Sequence, residues 1–133
     1  MKPFLTKLYT NKLFPLSWTL FTIFLLCLPG SALPGAGIFV FKGLDKVIHF
    51  ILFGGIVLVW GLYIRRAYPP AQHVKMTFLA ILFSIALGIA LEYVQLYFIT
   101  GRSFDVNDIA ADAGGAIIVF IVLTVIRRRE EEG

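Results

Sequence analysis

Glu92, Asp45, Asp105, Asp108 and Asp112 are five of the eight acidic residues in a 133-residue chain; the other three are the terminal Glu130 to Glu132. Their company is His49, Gln95, Lys46 and Arg102. Carboxylates beside an imidazole are the groups that move protons or hold a cation, while Lys and Arg recognise phosphate. A charge at the centre of a bilayer costs at least ~2.5–3.5 kcal/mol, so ionisable groups inside a membrane persist mainly where something pairs or uses them. The rest of this chain is apolar enough for that cost to apply.

Hydrophobic residues make up 59% of the sequence, and mean hydropathy is +0.86. A soluble domain runs about 45–50% apolar even with Gly counted. Apolar runs occupy residues 13–28, 44–64, 76–99 and 106–126, separated by Pro29-Gly30, Arg65-Arg66 with Pro69-Pro70, and Thr100-Gly101. A spanning helix takes ~20 such residues. The expected fold is an all-α membrane protein with four transmembrane helices in a single domain over residues 1–133. A short apolar patch at 38–41, between helices one and two, is expected to lie on the outer interface. The ten-residue alternation of a membrane β-barrel is absent.

Orientation follows from the basic residues. With four spans, Lys2, Lys7, Lys12, Arg65, Arg66, Lys75 and Arg127 to Arg129 share one side, and Lys42, Lys46 and Arg102 the other. The positive-inside bias then places both termini in the cytoplasm and the acid set outside. Trp18 and Trp60 fit interfacial positions toward the cytoplasmic ends of their helices. The basic clusters flank apolar runs, so the net charge of +4 speaks for topology and not for nucleic acid. The start of the chain also has the basic and apolar parts of a leader peptide, but its basic region is unusually long, and the first helix is expected to stay. Cys27, the single cysteine, has no partner for an internal disulfide.

Helical geometry gathers the acids. Asp45 and His49 stand at i, i+4 on one face; Asp105, Asp108 and Asp112 at i, i+3, i+7 form one stripe. Glu92 lies ~10 Å in from Ile99, and Asp112 ~10 Å in from Asp105. Gln95 is one turn nearer the surface than Glu92, on the same face. Asp45 and Asp105 also suit ordinary helix starts, Asp108 less so. Lys42 and Lys46 suit interface anchors. Glu92, His49 and Asp112 lie below any capping position and carry the functional weight. The set holds three cations against five acids, a formal −2 with His49 neutral, so it must hold a proton, charge His49 or bind a cation. Carboxylates suit Mg or Mn and an imidazole suits Zn. No compact ligand motif such as HExxH or CxxC occurs, so no cofactor is expected, with a divalent cation as the further option. Small residues, Gly54, Gly55, Gly88, Ala90 and the run Ala110 to Ala116 around Asp112, allow close helix packing.

In this order, Asp45-Lys46-x-x-His49, Glu92-x-x-Gln95, Arg102 before Asp105 and Asp108, and Gly115 resemble the VanZ-like family of small bacterial membrane proteins. The match covers residues 44–119. Asp112 stands where that family usually shows Asn, and Val119 where a second Gly is common. The resemblance implies a cell-envelope role, linked to resistance to teicoplanin-type glycopeptides, and no particular reaction.

Two functions fit these residues. The first is a binding protein for a lipid or lipid-linked cell-wall precursor headgroup, with Lys46 and Arg102 on phosphate and Asp45, His49, Glu92, Gln95, Asp105, Asp108 and Asp112 completing the site. The second is a membrane enzyme acting on a lipid-linked or glycopeptide-type substrate, with Glu92 or Asp112 as general acid or base and His49 as relay or metal ligand. Partners are membrane lipids and one of those substrates, with an oligomer as an option. A transport path is disfavoured, because only Thr77, Ser84 and Thr124 continue the polar set through the inner half of helices three and four.

Overall fold

The computed structural model describes residues 10–32 and 43–133. The expected interfacial patch at 38–41, and Lys42 beside it, lie outside the described residues. Among the described residues there are four principal helices: α1 Leu13–Leu26, α2 Leu44–Ala67, α3 His73–Phe98 and α4 Val106–Glu132. No strand occurs among the described residues. Helices α2, α3 and α4 are long and apolar enough to cross a membrane. Helix α1 is apolar but has 14 residues, ~21 Å of helix against a ~30 Å hydrocarbon core. The expected run to residue 28 is cut short at Cys27, just before Pro29. Proline cannot donate the next helical hydrogen bond and disfavours a helical residue before it.

The other ends are equally local in origin. Tyr68 turns extended before Pro69-Pro70 and closes α2. A turn at Pro70–Gln72 starts α3. Gly101, at φ 75, reverses the chain between α3 and α4; left-handed backbone there favours glycine. Asp105 caps α4 by accepting the Asn107 N–H at 2.8 Å. Helix α2 starts differently from the capping reading of Asp45. Its cap position is Gly43 at φ 95, without a side-chain bond, so Asp45 sits in the first turn with its carboxylate directed elsewhere.

Helix α2 is the centre of the bundle. Leu52, Phe53 and Ile56 pack with Leu26 of α1 and Leu91 of α3, and Val57 packs with Ile81 of α3 and Ala116 of α4. The α2–α4 seam is backbone on backbone. A Cβ on Gly115 would overlap the Phe50 carbonyl oxygen, and one on Gly54 would stand 3.2 Å from the Gly115 oxygen and 3.3 Å from Val119. Val119, where the resembling family favours glycine, thus fills the space over Gly54. Trp18 and Trp60 are half-buried and each is tied to a neighbouring helix. The Trp18 indole lies on Gly55 and donates to the Leu52 carbonyl at 3.1 Å, and Trp60 donates to Thr19 Oγ1 at 3.1 Å. In apolar surroundings an indole N–H needs such an acceptor. Outward, α1, α3 and α4 expose Leu20, Phe24, Phe78, Phe83, Ile118 and Ile121. An apolar belt of this kind suits lipid and would be a large liability in water.

Consecutive helices run antiparallel, so the start of α2, the end of α3 and the start of α4 share one end of the bundle. The opposite end carries Arg65, Arg66 and Arg127 to Arg129. There Arg65 pairs with Glu130, and Arg127 with Glu131 at 2.9 Å. The terminal acids are therefore part of α4, which continues to Glu132, and not a loose tail.

Candidate functional site

Lys46 is the hub of the acid end. Its ammonium donates to Asp45 Oδ2 at 2.9 Å, Asp105 Oδ2 at 2.8 Å and Asp108 Oδ1 at 3.1 Å. An ammonium has three N–H donors, and three carboxylates take them. Asp108 is nearly buried, whereas Asp45 and Asp105 are open to solvent by a third or more of their side chains. The hydrogen bond from Lys46, ahead of those from Asn107, holds the Asp105 carboxyl below its ordinary value of 3.8. The arrangement commits the three N–H donors of Lys46 to the acids.

One layer deeper, His49 Nδ1 stands 2.9 Å from Asp112 Oδ1, and Nε2 stands 3.8 Å from Asp108 Oδ2. His49 and Asp112 are 2% and 1% exposed. A carboxylate can only accept, so beside an ionised Asp112 a neutral imidazole carries its proton on Nδ1 and presents Nε2 as an acceptor. Phe53 lies nearly parallel to the imidazole, with ring centres 6.3 Å apart.

Glu92 comes in from α3 and is fully buried. Its Oε2 accepts the backbone N–H of Asp105 at 2.8 Å, tying α3 to the start of α4. Four buried side-chain atoms have no hydrogen-bond partner among the described residues: His49 Nε2, Glu92 Oε1, Asp112 Oδ2 and Ser84 Oγ. Buried polar atoms are nearly always satisfied, and each exception calls for a reason.

Two expected members sit apart from this knot. Gln95 is buried, and its amide donates to the Leu26 carbonyl at 2.9 Å, which joins α3 to the end of α1. Arg102 is half-buried in the α3–α4 loop, where its Nε lies 3.5 Å from the Leu28 carbonyl. That bond is long for N–H···O, and Arg102 makes no ion pair among the described residues.

The five acids, Lys46 and His49 are thus gathered by α2, α3 and α4. Three features were not readable from the sequence: the three-way grip on Lys46, the bond from Asp105 N–H to Glu92, and the role of Gly88. A Cβ on Gly88 would stand 2.6 Å from Asp112 Oδ2 and 3.3 Å from Asp112 Cβ, so this glycine makes room for the carboxylate. The short spacing from Gly88 to Glu92, one helical turn, was the available signal. Gly88→Ala is expected to push Asp112 off His49 while leaving the outer Lys46 triad in place. The His49 ring resonances in NMR spectra should shift, with little change at Lys46.

The family model described as VanZ/LLP1 matches residues 4–127. That range takes in the first helix as well as the 44–119 core that carried the motif resemblance. No curated protein and no solved structure gives a significant match. With a family model covering nearly the whole chain and three helices fit to span a bilayer, the chain is a multi-pass integral membrane protein and belongs to the VanZ/LLP1 family.

Proposed function

We propose that the acid end faces outward from the bacterial cytoplasmic membrane and binds the headgroup of a lipid or lipid-linked cell-wall precursor. Arg102 supports this most directly. It is a half-buried guanidinium with no ion pair among the described residues, three residues before the Asp105 cap. A guanidinium binds phosphate bidentately. The acids hold Lys46 and present oxygens suited to sugar hydroxyls. Outward placement rests on the arginines at the opposite end, which the positive-inside bias keeps in the cytoplasm. A cell-envelope role of this kind is consistent with a link to teicoplanin-type glycopeptide resistance. Arg102→Ala is expected to lower retention of phosphate-bearing headgroups by the purified protein at least tenfold, on the strength of a bidentate charge-assisted contact of about 1.5–3 kcal/mol. Helicity by circular dichroism should not change. Equal retention by mutant and wild type contradicts the reading.

A second reading, a membrane enzyme on the same class of substrate, is favoured by the buried His49–Asp112 pair beside Glu92. A base oriented by a carboxylate is the arrangement used in general acid–base catalysis. Glu92→Gln and His49→Ala proteins that restore full envelope function in cells would eliminate it.

A further inference from the structure

We propose that His49, Glu92 and Asp108 form a binding site for a divalent first-row transition-metal ion, best suited to zinc. Each of the three offers one ligand atom, and these atoms lie within 4.8 Å of one another. All three residues are at least nine-tenths buried. They come from three different helices, α2, α3 and α4, so the site closes only in the folded bundle.

Proximity of acids alone would not argue for an ion. The second observation is the state of the individual atoms. His49 Nε2 and Glu92 Oε1 are buried without a hydrogen-bond partner among the described residues. The opposite atom of each ligand is held by the protein. His49 Nδ1 is fixed by Asp112 at 2.9 Å, Glu92 Oε2 by the Asp105 N–H at 2.8 Å, and Asp108 Oδ1 by the Lys46 ammonium at 3.1 Å. Metal-binding histidines characteristically donate their second N–H to a carboxylate, which sets the tautomer and the ring orientation. Asp112 stands in that position. This gives a reason for a charged residue at a position where the resembling family usually shows Asn.

Geometry and charge agree. Zinc bonds of ~2.0–2.2 Å place neighbouring ligands ~3.3–3.5 Å apart. His49 Nε2 and Asp108 Oδ2 already stand at 3.8 Å, a small side-chain rotation away. Among the described residues the knot contains five carboxylates against the ammonium of Lys46, and two positive charges offset half of that excess. The imidazole selects zinc over magnesium, which prefers oxygen ligands and keeps several waters. Three protein ligands would leave a fourth zinc position open. This inference goes beyond headgroup binding, and its test needs no lipid.

The full-length protein in detergent, stripped with a chelator, is equilibrated with zinc chloride at micromolar free zinc and assayed by elemental mass spectrometry. One zinc per chain is expected. X-ray absorption on the wild type should show one histidine nitrogen among oxygen neighbours. His73→Ala, at the other end of α3, should bind as the wild type does. Glu92→Gln, which keeps the side chain's shape, should weaken binding at least tenfold, and Asp112→Asn by ~10–100-fold. Well under one zinc per chain in the wild type, an all-oxygen absorption spectrum, or unchanged binding by Glu92→Gln would each overturn the site.

Discussion

Gly115→Ala is expected to destabilise the bundle by about 3 kcal/mol or more. One methyl group suffices because the new Cβ would overlap the Phe50 carbonyl oxygen and press on the Gly54 nitrogen. Overpacked positions cost typically about 1–3 kcal/mol. This one belongs at the upper end, because both obstacles are backbone and neither can rotate away. Relief requires α4 to move off α2. That movement separates Asp108 and Asp112 from Lys46 and His49, so the acid end should fail together with the fold. The neighbouring Gly114→Ala is the control. Its Cβ would meet only the Phe50 ring, at 3.7 Å, an ordinary contact. Thermal unfolding in detergent followed by circular dichroism should separate the pair: a large drop in melting temperature for Gly115→Ala and almost none for Gly114→Ala.

Lys46→Met should produce the second large effect, by a different mechanism. The methionine keeps most of the side-chain volume and removes the charge that holds Asp45, Asp105 and Asp108 together. An exposed ion pair is worth about 0.2–1 kcal/mol. Here three pairs share one ammonium and one partner is nearly buried, so the loss should exceed about 1 kcal/mol. Most of it would be repulsion among the orphaned acids. The double variant Lys46→Met with Asp108→Asn should therefore be more stable than Lys46→Met alone, as measured by the same thermal unfolding. If Lys46 were only an interface anchor, neutralising Asp108 would bring no recovery.

How much was legible beforehand follows from the range of the physics involved. Apolar runs and helix stops are local, and they predicted four helices and most of their ends. The first helix stops a little earlier than its apolar run because Pro29 acts one turn upstream. The depth of Glu92, His49 and Asp112 follows from helical rise alone, and the structure brings all three to the same region. Which atom meets which depends on the rotation of each helix about its axis, and no local signal records that. The choice by Glu92 of a backbone N–H on α4, and by Gln95 of a carbonyl on α1, are cases of this kind. Trp18 and Trp60 illustrate the same limit. Their sequence positions suit an interface, but an acceptor on a neighbouring helix takes each N–H. Gly88 looked like a packing residue, and it is one, with the object packed against it being a carboxylate.

We propose above all that the acid end, with Arg102 at its loop, holds an anionic headgroup. The most direct measurement is an unbiased mass-spectrometric survey of the small molecules that co-purify with the wild type and with an Arg102→Ala, Glu92→Gln double variant. A phosphate-bearing lipid or lipid-linked sugar is expected to be enriched at least tenfold on the wild type. Identical profiles from two equally folded proteins would contradict it.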